Sequence, residues 1–158
     1  MAEEKQYTTQ QAHQKFAVEL FNGTWDLIEK PNRTPEESEK MIHMAHASCY
    51  HWTEVGKPLN RARGEWQISR VYSLLARAEP AYHHAQQCLA LTEANGFGGF
   101  DLAFAHEAMA RASALCGRRD DYEKHYALAL KAGEEIKEQG DRDYFFKDLQ
   151  GGPWSGMR

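Results

Sequence analysis

The chain has little that builds a sheet. Among its 158 residues Val occurs 3 times and Ile 4 times, against 21 Ala and 12 Leu. β-Branched side chains suit strands and alanine suits helices, so this skew points to an all-α protein. No apolar run approaches the roughly 20 residues needed to cross a bilayer, and no membrane partner is expected. Positive charge is not in excess: the net charge is −4 and the isoelectric point about 6.1. No basic field therefore exists to hold nucleic acid. Cys49, Cys88 and Cys116 are odd in number and far apart, which suits free thiols in a reducing compartment. The opening MAEEKQYTTQQ is too acidic and polar for a secretory signal, so a cytoplasmic protein is expected. GxSxG, GxxxxGK followed by Ser or Thr, HExxH and Cys-x-x-Cys are all missing. GFGG at 96–99 reads as a helix connection. No catalytic residue and no cofactor is expected.

What is present is a row of helices. The first is expected from Thr8 or Thr9 toward Asn22, weakened at Gly23, with TWDLIEK as a bent last turn before Pro31. Thr34-Pro35-Glu36-Glu37 is a capping box with proline at the first helical position, so the second helix runs from there to about Val55. Further helices are expected over 59–77, from 79 or 80 to 95–96, over 100–116, 120–138 and 142–149, with Gly140-Asp141 as the last separator. Connections of a few residues make successive helices antiparallel. One domain over 1–150 is expected, followed by a loose tail at 151–158 that Trp154 can anchor.

The sequence also echoes itself at a shift of 41 residues. Arg70 meets Arg111, Leu74 meets Leu115, Arg77 meets Arg118, His84 meets His125 and Leu89 meets Leu130. The second copy, LCGRRDDYEKHYALAL, carries a turn glycine at Gly117, aromatics at Tyr122 and Tyr126, and a closing Ala129-Leu130. Over residues 61–137 this resembles the tetratricopeptide helix-turn-helix. It departs from that family in its period, and in lacking the Trp and Gly expected in the first helix. The resemblance implies antiparallel helix pairs stacked as a short right-handed superhelix. It further implies a concave face that holds a peptide, a partner protein or a second copy of the chain. An ordinary helical bundle with common Ala/Leu patterning is the alternative.

Candidate binding residues lie on the third and fifth helices. Arg63, Gln67 and Arg70 follow steps of four and three, flanked by Trp66, while Ile68, Tyr72 and Leu75 supply a separate core face. The fifth helix is apolar nearly all round yet carries Asp101, His106, Glu107 and Arg111. Glu107 and Arg111, four apart, form an ion pair within the packing or line a groove. In tetratricopeptide-like packing Arg63 and Arg70 would stand near Glu107 and Arg111. Arginines beside an indole suit a carboxylate, a phosphate or a flat partner, which also admits a sensor of an anionic small molecule. The remaining alternative is a metal-binding protein or enzyme using His43, His46 and His51, although zinc needs three or four convergent ligands.

Overall fold

In the computed structural model, which describes residues 3–157, seven α-helices follow one another. They are α1 (Thr9–Glu29), α2 (Pro35–Val55), α3 (Pro58–Leu74), α4 (Ala78–Ala94), α5 (Gly99–Leu115), α6 (Arg119–Glu134) and α7 (Gln139–Gln150). No strand occurs among the described residues. Neighbours in sequence pack side by side, α1 on α2, α3 on α4 and α5 on α6, and the three pairs adjoin through α2–α3 and α4–α5. The result is an all-α stack of helical hairpins.

Local chemistry explains the helix ends. Thr8 and Thr34 each accept from the backbone N–H three residues on, and Gln11 and Glu37 return the bond to the cap N–H. These reciprocal pairs satisfy donors that a helix start leaves free. At the other end, α3, α4 and α5 close with the same hydrogen-bond pattern. Arg77, Phe97 and Arg118 N–H groups reach back to the carbonyls of Tyr72, Thr92 and Ser113. The residue before each has a left-handed backbone: Ala76 (φ 57°), Gly96 (φ 66°) and Gly117 (φ 73°).

Several boundaries differ from the sequence expectation, among them the end of α3, which stops at Leu74 rather than Arg77 because Ala76 turns left-handed. α1 runs past Gly23 to Glu29 as one helix and takes in the stretch expected as its last turn. A Cβ at Gly23 would fall 2.5 Å from Met44 Cε on α2, so the glycine makes room for the tip of that flexible side chain. The sixth helix stops at Glu134, and Gly140-Asp141 lies inside the first turn of α7 rather than before it. The actual break, Glu135–Glu138, carries no proline and only one apolar residue, Ile136, which is buried.

The core has two parts. Met41, Ile42, Ala45 and Cys49 of α2 enclose Ile68 and Val71 of α3. A larger cluster centres on α5, whose residues from Ala103 to Ala114 are all buried. Alanines there let α3, α4, α6 and α7 approach one helix from several sides. Phe145 and Leu149 of α7 and Trp154 beyond it belong to this cluster. The expected loose tail is thus seated at Trp154, which is 6% exposed.

Candidate functional site

Two rows of side chains face each other between α3 and α5. Step spacing on α3 aligns Arg63, Trp66 and Arg70, and on α5 it aligns Asp101, Phe104, Glu107 and Arg111. Their pairing divides the face into a closed part and an open part.

The closed part is an ion-pair network under α7. Glu107, fully buried, accepts from Trp66 Nε1 at 3.1 Å, Arg70 Nη2 at 3.0 Å and Arg111 Nε at 2.8 Å. Arg70 also grips Asp148 of α7 with two bonds, at 3.0 and 2.6 Å. Arg111 donates to the backbone carbonyls of Asp148, Gly151 and Pro153 and lies 4.3 Å from the Trp154 ring centre. Two guanidinium groups and two carboxylates balance, as buried charges must. Burial works against the Arg70 charge, but Glu107 and Asp148 outweigh it and hold the guanidinium above its usual range. Burial dominates at Arg111 and moves it the other way, with Arg70 adding to the push and Glu107 opposing it. Both groups stay cationic at any ordinary pH. The sequence leaves Arg70, Glu107 and Arg111 either lining a groove or paired within the packing; in the structure they form a buried network, and the C-terminal segment accepts from the Nη atoms of both arginines through Asp148 and the carbonyls of Asp148, Gly151 and Pro153. Gln67 is likewise buried, donating to the carbonyl of Phe21 at 3.0 Å and tying α3 to α1.

The open part lies at the other end of the same face. A cavity of about 230 Å³ is bounded by Phe21 and Trp25 of α1, Trp66 of α3, Phe100 and Phe104 of α5 and Tyr144 of α7. Trp25 stacks on Trp66 at 5.4 Å, and Phe104 meets Trp66 edge-on at 5.4 Å. Arg63 and Asp101 stand on the cavity wall as a two-pronged pair at 2.9 and 3.2 Å. That carboxylate raises the Arg63 pKa, and the two charges cancel. Arg63 therefore reaches Asp101, not Glu107 as the repeat geometry suggested. Among the sequence candidates, Arg63, Trp66 and Asp101 line the cavity. Phe21, Trp25, Phe100, Tyr144 and Asp148 were not among them. Phe21 and Trp25 are four apart on one helix, a spacing that marks a shared face. Nothing in the sequence links Asp148 to Arg70, 78 residues away.

The histidines and thiols do not assemble into a metal site. His46 meets the Tyr72 hydroxyl at 2.8 Å, His51 pairs with His13 at 2.8 Å, and His43 lies on a separate surface depression. Among the described residues no group of three His, Cys, Asp or Glu side chains can hold an ion, so His43, His46 and His51 are not a ligand set. Burial pushes the Cys49 and Cys88 thiols up to about 12 and raises Cys116 as well. Thiols so placed are not nucleophilic thiolates at neutral pH.

Comparison with protein-family models, curated proteins and solved structures finds no match. The functional reading therefore rests on the residues and their geometry.

Proposed function

We propose that the protein is a non-catalytic binding protein of the tetratricopeptide-like kind, which holds a segment of another protein chain against the α3–α5 face. The observation that carries this reading is the open aromatic cavity beside Trp66. Apolar cavities with a few placed polar groups are the ordinary sites of recognition, and aromatic rings supply contact area with little entropy to lose. The charged part of the face supports the same reading. There, Arg70 and Arg111 already hold a helix end and its following turn through a carboxylate and three carbonyls. A face that binds its own segment in this way has the chemistry to bind another.

Selection of displayed peptides tests the proposal. Wild-type protein should enrich a peptide family that a cavity-filling variant, Ala62→Leu, no longer retains. Ala62 lines the cavity and is 2% exposed. Failure to enrich any family, or equal retention by both proteins, overturns it.

A further inference from the structure

We infer that the segment bound at the aromatic cavity is anchored by a tryptophan, with its indole in the cavity and a neighbouring backbone carbonyl on Arg63. The inference rests on the binding reading above and names what that site selects.

Size is the first argument. A cavity of about 150 Å³ suffices for a single benzene ring. At about 230 Å³ this one has room for a fused two-ring system. Charge is the second. The cavity wall carries one cation and one anion, Arg63 and Asp101, bonded to each other through both carboxylate oxygens. With no net charge beside it, the aromatic interior favours a neutral ring over a carboxylate or an ammonium group.

The chain itself already pairs an arginine with a tryptophan in this way. Arg111 is ion-paired to Glu107 through Nε, and its Nη1 donates to the carbonyls of Gly151 and Pro153, next to Trp154. The Trp154 indole lies over the same guanidinium. Arg63 repeats the first half of that arrangement. It bonds Asp101 through Nε and Nη2. Its Nη1 is not used by that pair, and the side chain is 48% exposed. A donor so placed at the rim of an aromatic cavity fits the carbonyl beside an indole, as Arg111 fits the carbonyls beside Trp154.

Titration calorimetry with capped amino acids tests this on the full chain. N-acetyltryptophanamide should bind about tenfold more tightly than N-acetylphenylalaninamide, because one ring leaves part of the cavity unfilled. Arg63→Met should weaken tryptophanamide several-fold and leave free indole, which has no carbonyl, unchanged. In nitrogen-correlated spectra of the unaltered protein, the indole signals of Trp25 and Trp66 should shift on adding tryptophanamide while those of Trp52 and Trp154 hold still. Equal or tighter binding of the phenylalanine compound overturns the inference, as does a shift confined to Trp154. The spectra keep the test valid if a variant fails to fold. Selected peptides that lack tryptophan, yet are lost on Ala62→Leu, would sink the tryptophan anchor and leave the binding reading standing. Tryptophanamide binding without any selected peptide would overturn both, since no chain segment would then be held at the cavity.

Discussion

Trp66 and Glu107 stand 41 residues apart, at matching positions of the two echoing hairpins, and are joined by a hydrogen bond of 3.1 Å. The same shift relates Arg70 to Arg111, and both guanidinium groups end on Glu107. The internal repeat thus builds the centre of the face from two copies of one position, differently substituted. Where one copy has an indole the other has the carboxylate that receives it.

This arrangement sets the cost of breaking it. Arg70→Ala leaves Glu107 and Asp148, two carboxylates in a largely buried site, with Arg111 as their one remaining shared cation. The expected loss is about 3–5 kcal/mol in urea unfolding. Arg63→Ala removes a pair that is half in solvent, and should change stability by no more than about 1 kcal/mol. Similar effects at both positions would mean that the network under α7 is open to water.

The left-handed helix ends give a paired test. Ala76 and Gly117 are also 41 residues apart and share one backbone conformation. An alanine pays a conformational penalty there that glycine avoids. Ala76 is exposed, and a Cβ at Gly117 would touch nothing within 4 Å. Packing is therefore not at issue in either exchange. Gly117→Ala should lower stability by about 1 kcal/mol, and Ala76→Gly should raise it by up to about 1 kcal/mol. Thermal melts of the two variants should move in opposite directions.

The repeated helix ends were legible because each has a local cause. Thr34-Pro35-x-Glu37 and Gly117 carry their function within a few residues, and the structure uses them as the sequence suggests. What Gly23 faces, the tip of Met44, was not legible, because it belongs to the next helix. The meeting of Arg70 with Glu107 is what the tetratricopeptide resemblance implied for the third and fifth helices. Whether that pair lies open or covered depends on Asp148 and Trp154, which no local pattern connects to α3 or α5. The aromatic cavity was half visible, in Trp66, Arg63 and Asp101. Its other wall comes from α1 and α7, which the hairpin echo does not include.

Acid should weaken the fold through a buried histidine pair. His106 of α5 and His125 of α6 lie ring on ring, with their Nδ1 atoms 3.1 Å apart. Burial, then the neighbouring His125 and Lys124, push the His106 pKa down to about 4; burial lowers His125 too, with Lys124 adding to it and Asp121 and Glu93 opposing. In the unfolded chain His106 takes its proton near pH 6.5, its ordinary value. Between those limits the unfolded state binds more protons, so stability falls as pH drops from about 6.5 to 4. The expected loss is on the order of 2 kcal/mol. His106→Gln should flatten the slope of stability against pH in that window. An unchanged slope would place the acid sensitivity at other groups, such as His46 or His51, whose pKa values burial also lowers.

How firmly the C-terminal segment is held depends on Trp154. Trp154 donates Nε1–H to the Leu149 carbonyl at 3.1 Å. Its ring meets Tyr122 at 5.9 Å and Tyr126 at 5.3 Å, and it covers the Arg111 guanidinium. Removing a buried indole costs about 3–5 kcal/mol, whereas a change in a loose tail stays within about 0.5 kcal/mol. Trp154→Phe keeps most of the ring contact and drops the N–H, so it should fall between, near 1 kcal/mol. The expected order in urea unfolding is therefore wild type, then Trp154→Phe, then Trp154→Ala. Hydrogen exchange adds where the damage goes. Loss of Trp154 uncovers Arg111 and loosens the carbonyls of Asp148 and Gly151, so amides of α7 should exchange faster while those of α2 hold. Equal stability of all three proteins would show that the segment leaves the face readily, and that Arg70 and Arg111 are free for a partner much of the time.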